Sequence, residues 1–300
     1  MGLRADQGVQ EVAGGAKPVS DQDLPGFTDG HGTPHADEPA EVLPEDDADR
    51  EAPMDASDEV EAAPSPEPAE GGLEESPGPM PVSELHLSTA CDPLDDLLDG
   101  GLERDAITLV FGEGGSGKTN LALQCARQAT AAGLRVAYVD TEGVSPHRLE
   151  QVFAGDPRAD SDRILFFTPF TIREQEQMVA KTALLRDVGL IVVDSINMHY
   201  RLHIDGKETE REASASLFKQ LHHLTGHARK HRIPVLVTGQ VYGGEDETQP
   251  FARRVMEHMV KALVRFQKKP DGGRKATVLK HRSIEDGRSA RFRIGAHGLE

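Results

Sequence analysis

Residues Gly112, Glu113, Gly114, Gly115, Ser116, Gly117, Lys118 and Thr119 form the pattern G-x-x-x-x-G-K-T. At ordinary residue frequencies a chain of this length matches it by chance about one time in a hundred. The chemistry it suits is the holding of a phosphate chain. Glycines let successive backbone N–H groups turn toward phosphate oxygens with no Cβ in the way. A helix starting at the end of the loop adds free donors and a partial positive charge. Lys118 has the reach for β- and γ-phosphates, and the Thr119 hydroxyl suits Mg²⁺. The motif therefore predicts a nucleoside triphosphate site spanning Gly112 to Thr119.

Three more residues stand where such a site needs them. Asp194 follows the apolar run Leu190–Val193, 76 residues after Lys118. There it can hold a Mg²⁺ shell through water, or it is simply a strand-end turn acid. Glu142 lies just past the run Arg135–Asp140, where a carboxylate can orient or deprotonate an attacking water. Gln240 lies just past Pro234–Thr238, where a neutral amide can sense the γ-phosphate and relay its loss. At the ends of successive parallel strands, the three would line one crevice. The segment Asp140-Thr-Glu-Gly143 also fits the D-x-x-G of GTP switches, but no N-K-x-D segment follows to read guanine. A Leu-Ser-Gly-Gly transporter signature is missing as well.

The surrounding pattern supplies the elements that would position these groups. Ile107–Phe111 reads as a buried strand entering the glycine loop, and Leu121, Ala122, Cys125, Ala126 and Ala129 recur at helical spacing after it. Strands are expected at 135–140, 164–168, 190–193 and 234–238, with helices over about 171–186 and 208–231. A short capped helix is expected between Ser88 and Gly101. From residue 261 the pattern changes to alternating strands, 261–269, 274–281 and 290–294, joined by Asp271-Gly272-Gly273 and Asp286-Gly287. The fold class is α/β: a mostly parallel sheet with antiparallel C-terminal edge strands.

The net charge of −18 is confined to one end. Residues 1–80 hold 21 Asp and Glu against 3 Lys and Arg, while the remaining 30 acids and 30 bases cancel. Proline-rich and without apolar periodicity, this segment predicts a disordered acidic tail over 1–82 and a folded core over 83–300. The tail either recruits a partner or mimics nucleic acid, or it only solvates the chain. No stretch is apolar and long enough for a membrane span, and no signal segment opens the chain. Cys91 and Cys125 are too few for a disulfide framework, which points to a reducing cytoplasm.

The stretches LSTACDPLDDLLDGGLERDAITLVFGEGGSGKTNLAL, YVDTEG, LIVVDS and PVLVTGQV resemble the RecA/RadA recombinase superfamily. The short segment after Gln240, the missing helical DNA-binding domain and the ending ATVLKHRS…ARFRI make the chain most similar to the RadB group, the archaeal RadA paralogues. The resemblance covers about 83–298, and the acidic tail departs from it. It implies an ATP-binding recombination and repair accessory protein that binds DNA and RadA. Weak ATPase, no strand exchange of its own and a Holliday-junction resolvase as a further partner belong to the same expectation. It assigns DNA contacts to two loops. The first, about 197–210, carries Tyr200, Arg201 and Lys207; an aromatic beside cations suits stacking on bases and pairing with phosphates, or the loop is merely solvated. The second, about 242–255, carries Arg253 and Arg254, with Glu245, Asp246 and Glu247 opposing phosphate. A hairpin with Lys268, Lys269, Arg274 and Lys275 is a rival basic surface, or an ordinary charged sheet edge.

Arg148 is expected, by the same resemblance, to stack on adenine. Lys280 and Arg282 resemble the K-x-R element that KaiC-type ring ATPases insert into a neighbour's nucleotide. On an extended strand that spacing puts both cations on one face; the alternative is a solvated strand end. A ring-forming KaiC-like ATPase with vigorous, assembly-dependent hydrolysis is therefore the second expectation. His223, His227 and His231, four apart on one helix, are expected on a solvated face, since no acid or cysteine completes a metal shell.

Overall fold

The computed structural model of the protein describes residues 85–182, 184–185, 187–242, 249–250 and 253–300. The acidic segment and residues 243–248 lie outside them, and with them the expectations placed on the tail and on Glu245, Asp246 and Glu247. In chain order the elements begin with β1 (His86–Leu87), α1 (Asp92–Leu97), β2 (Leu102–Glu103), β3 (Ile107–Gly112), α2 (Lys118–Ala131), β4 (Arg135–Asp140) and α3 (Pro146–Phe153). They continue with β5 (Ile164–Phe167), α4 (Ile172–Thr182), β6 (Val188–Asp194), α5 (Met198–His203), α6 (Lys207–His231), β7 (Val235–Gly239), β8 (Val241–Tyr242) and β9 (Gln249–Pro250). The last are α7 (Arg253–Met259), β10 (Ala262–Lys268), β11 (Arg274–Lys280), β12 (Ser289–Phe292), β13 (Ile294–Gly295) and β14 (Gly298–Leu299).

Eight strands form one sheet in the order β12-β11-β10-β3-β7-β6-β4-β5. From β10 to β5 every pairing is parallel, and β11 and β12 add an antiparallel edge. The strands β3, β6 and β7 are buried along their whole length, as parallel strands covered on both faces must be. Alternate side chains feed two cores. Val110, Tyr138, Val192, Leu236 and Phe266 meet α2 and α3 on one face. Leu109, Phe111, Val139, Val193 and Val237 meet α4, α6 and α7 on the other. The register pairs Asp140 with Asp194, Val193 with Val237 and Phe111 with Gly239. The loops that leave β3, β7, β6 and β4 therefore emerge side by side at one edge.

The small β13–β14 ladder seals the outer face of α2. The Gln124 carboxamide donates to the carbonyls of Ala90 (2.6 Å) and Leu299 (3.2 Å) and accepts from the Leu299 N–H (2.6 Å). Arg127 donates to the carbonyls of Val152 and His297, both at 2.9 Å. Gly298 is needed here twice over: its φ is +130°, and a Cβ would lie 2.2 Å from Gln124 Oε1.

The expected strands appear within two residues of their predicted limits, but other expectations fail. The short helix expected between Ser88 and Gly101 is α1, but no side chain caps its start, because Ser88 and Thr89 bind the Asp95 carboxylate instead. The helix expected to run to 186 ends at Thr182. Residues 197–210 are not an open loop; α5 occupies their centre. His227 is buried, unlike His223 and His231, because it faces the α6 core stripe.

Candidate nucleotide-binding site

The phosphate loop leaves β3 at Gly112 and returns to helix at Lys118. Gly115 and Gly117 adopt φ of +73° and +107°, a region that favours glycine, and the Ser116 N–H donates to the Glu113 carbonyl at 3.2 Å. A Cβ at Gly114 would meet nothing within 4 Å, so the loop opens on that side. Lys118 is buried, and its Nζ donates to the carbonyls of Gly112 (2.8 Å) and Glu113 (3.0 Å). Burial pushes the lysine's proton affinity down, while Glu142, Asp194 and Glu113 pull it back up. The Ser116 hydroxyl is buried with no hydrogen-bond partner among the described residues. The basic β10–β11 hairpin grips the loop from outside. The Lys268 N–H donates to the Glu113 carboxylate (3.2 Å) and Arg274 Nε to the Gly115 carbonyl (3.2 Å).

Beneath the loop sits Asp194. Tyr138 donates to its Oδ2 (2.9 Å), Thr238 to its Oδ1, and Thr119 also hydrogen-bonds to it. Burial raises the Asp194 pKa although these hydroxyls favour the anion. Asp194→Asn is therefore expected to raise the unfolding temperature of the ligand-free protein at neutral pH, by about 2–4 °C for each 1 kcal/mol relieved. An acid whose folded pKa lies above its unfolded value favours folding fully only below the unfolded pKa. That contribution disappears as pH rises through the folded pKa. The advantage of the variant should thus shrink as pH falls through the raised Asp194 pKa. Thermal melts of both proteins from neutral to acid pH check this; a gap independent of pH would contradict it.

Beyond β4 the chain turns on Asp140, whose carboxylate accepts from the N–H groups of Glu142 (3.2 Å), Gly143 (2.8 Å) and Val144 (2.7 Å). This turn presents Glu142, and Gln240 Nε2 donates to Glu142 Oε1 at 2.9 Å. Gln240 is held in turn by Asn197, which donates to its carbonyl (2.8 Å) and accepts from its N–H (2.9 Å). Sequence reasoning missed Asp140 and Asn197 as supports. Only the acid at a strand end was a signal for the first, and nothing marked the second. The structure thus gathers Lys118, Thr119, Asp194, Glu142 and Gln240 at one sheet edge. A phosphate chain on this loop would meet a glycine backbone with no Cβ in the way at Gly114, a buried ammonium, two hydroxyls and a carboxylate able to hold a water.

The Rad51 family model matches residues 82–300. The chain belongs to the Rad51 family, in its RadB group. A DNA repair and recombination protein RadB from Thermoplasma acidophilum is 40% identical over 225 residues, covering 73% of this chain and 94% of that one. The RadB of Halobacterium salinarum strain R1 is 38% identical over 229 residues, covering 74% and 97%. A crystal structure of the RadB recombinase superposes with a TM-score of 0.62 at 37% identity, covering 71% of this chain and 98% of that one. The fold is RecA-like, and membership of the Rad51 family implies nucleotide binding. The open glycine cradle, the buried lysine and the orphaned Ser116 hydroxyl fit a phosphate group. Thr119 beside Asp194 fits Mg²⁺ with phosphates and water completing its shell. Among the described residues no three His, Cys, Asp or Glu converge to cage a metal.

The remaining candidates of this Rad51-family chain are more scattered. Arg148 donates to Asn120 Oδ1 (2.5 Å), Gln151 Oε1 (3.0 Å) and the carbonyls of Ala296 (2.8 Å) and Gly295 (3.1 Å), so its edges bind β13 and the turn after it. Tyr200 is corrected: only 4% exposed, it packs in the α6 core and its hydroxyl meets Ser214 Oγ at 3.2 Å, which leaves no ring face for a base. Arg201 and Lys207 are exposed, and Arg201 donates to Gln240 Oε1. Arg253 and Arg254 open α7; their side chains lie outside the described residues. Lys280 and Arg282 do not share a strand face, because β11 ends at Lys280. Lys280 Nζ donates to the carbonyls of Glu257 (2.5 Å) and Val260 (3.0 Å). Arg282 pairs with Glu103 (2.6 Å) and Asp105 (2.9 Å), at the sheet end opposite the phosphate loop.

Proposed function

We propose that this chain is an ATP-binding accessory protein of DNA repair and homologous recombination. It binds DNA and the RadA recombinase, hydrolyses ATP weakly and exchanges no strands itself. The observation that carries the reading is the phosphate cradle with Lys118, Thr119, Asp194, Glu142 and Gln240 at one edge, in a chain matched over nearly the full length of proteins named for DNA repair and recombination. In it the loop N–H groups and Lys118 hold the β- and γ-phosphates. Mg²⁺, bound by Thr119 and through water by Asp194, would spread the phosphate charge. Glu142 orients the attacking water, and the turn on Asp140 fixes Glu142. Weak hydrolysis by a lone chain agrees with the position of Lys280 and Arg282, which cannot reach their own chain's phosphates from the opposite sheet end. A Holliday-junction resolvase is a further proposed partner. A cytoplasmic setting suits the two free, buried thiols, of which Cys91 is pushed up to about 11 by burial.

Vigorous hydrolysis on assembly, as in KaiC-like rings, is the competing reading. It requires Arg282 to leave Glu103 and Asp105 for a neighbour's nucleotide. Co-precipitation with RadA, with and without ATP, tests the accessory role directly. Capture that depends on ATP and is lost in Lys118→Ala is expected; a rate that climbs steeply with protein concentration without RadA would favour the ring instead. We also propose that residues 1–82 form a tail separate from the core at 83–300. Deleting them is expected to leave ATP affinity within about twofold and to tighten DNA binding at low salt, since a net −18 no longer opposes phosphate. Loss of cooperative unfolding in the shortened chain would contradict this.

A further inference from the structure

A cleft of about 300 Å³ lies between the turn of the β10–β11 hairpin, the end of β12 and the β13–β14 ladder. That is the small end of the range of ligand sites, roughly 300–1,000 Å³. Four cations line it, Lys269, Arg274, Arg291 and Arg293, together with two carboxylates, Asp271 and Glu300. Phe292, buried against Phe266 at a centroid distance of 4.8 Å, gives it a fixed wall. Elsewhere on the surface, arginines sit against acids: Arg158, Arg282 and Arg288 reach carboxylates at 2.6–2.9 Å. In the cleft the charges are not matched in this way. Arg291 and Asp271 approach only to 3.5 Å. Lys269 and Arg293 make no ion pair or side-chain hydrogen bond among the described residues. Arg274 is held by carbonyls alone, its Nε by Gly115 (3.2 Å) and one terminal nitrogen by Gly272 and Gly273. Its other terminal nitrogen has no partner among the described residues, so a donor stands fixed before any ligand arrives.

We propose that this cleft binds the phosphomonoester of a hydroxylated small molecule, of the sugar phosphate or nucleoside monophosphate class. Four cations less two carboxylates leave a surplus of two positive charges. A phosphomonoester near neutral pH carries close to two negative charges, whereas each diester of a DNA strand carries about one. Guanidinium groups match phosphate oxygens in both charge and geometry. A carboxylate can only accept, so Glu300 discourages a bare anion and favours a ligand that also brings hydroxyl donors. Lys269, Arg293 and the free edge of Arg274 take the phosphate, and Glu300 takes the hydroxyls. The assignment does not depend on the phosphate loop binding ATP.

Calorimetric titration of the full chain with ribose 5-phosphate tests the site. The parent is expected to bind it more tightly than inorganic phosphate; no binding, or equal affinity for the two, would overturn the proposal. Lys269→Ala and Arg293→Ala should each weaken ribose 5-phosphate roughly tenfold, the low end for a charge-assisted hydrogen bond at an exposed site. Unchanged affinity in both variants would also overturn it. Arg158→Ala, which removes a cation outside the cleft, should leave the affinity as it is. Glu300→Ala should tighten inorganic phosphate and narrow the preference for the sugar phosphate, since a repelling charge and an acceptor are lost together. Affinity in Lys118→Ala should match the parent; a clear loss there would put the ligand on the phosphate loop and sink the separate site. Oligothymidine without terminal phosphates should compete poorly. Displacement as effective as that by ribose 5-phosphate itself would make this edge a contact for a strand backbone and refute the small-molecule assignment.

Discussion

Lys118→Ala is expected to lower ATP affinity by about one to four orders of magnitude and leave the fold intact. The lysine begins α2 and lies against the underside of its loop, donating to the carbonyls of Gly112 and Glu113. With phosphates on the loop the same ammonium would make charge-assisted hydrogen bonds, each contributing about 1.5–3 kcal/mol. Losing one or two of them gives the expected range. The ligand-free protein should not suffer, because burial already disfavours the charged form of Lys118. Alanine also suits a helix start. Calorimetric titration with ATP, beside a thermal melt of the same sample, separates the two effects. Unchanged affinity in a folded variant would remove the basis for the phosphate site.

Glu142→Gln should retain ATP binding and reduce single-turnover hydrolysis by about 10²- to 10⁴-fold, the usual contribution of a positioned general base. Glutamine has the same shape and its Oε1 can still accept from Gln240 Nε2, so the exposed turn carrying it should hold. The Asp140 carboxylate that organises this turn is untouched. The variant would therefore accumulate in the ATP-bound state. Equal single-turnover rates in the two proteins would eliminate Glu142 as the group that activates water.

The phosphate loop was legible because its chemistry is local: the glycines, Lys118 and Thr119 are consecutive in the chain. The buried parallel strands were legible for a similar reason. Runs such as LIVV have no polar face to offer water, and Asp194, Glu142 and Gln240, at or just past the ends of such runs, lie at one edge of the sheet. What pattern alone could not supply is the packing of segments distant in sequence. Tyr200 beside Arg201 read as a nucleic-acid contact, yet α6 comes back over α5 and buries the ring against Leu217 and its neighbours. Asn197 looked like a loop boundary until β7 brought Gln240 within reach of its carboxamide. Arg282 read as an extended-strand cation, whereas Glu103 and Asp105, nearly 180 residues earlier, draw it to the far end of the sheet.

The β13–β14 ladder ties the last described residues to the helix that carries Lys118. Peeling it away would cost the Gln124 amide and the Arg127 guanidinium, two buried groups on α2, one carbonyl partner each, and leave them only Ala90 and Val152. Opening of this end and loosening of the phosphate loop's helix are thus one cooperative event, although Gln124 and Leu299 stand 175 residues apart in the chain. A nucleotide that steadies the start of α2 must, by reciprocity, slow hydrogen exchange at Leu299. A bulky label fused after Glu300 would press on the same contacts.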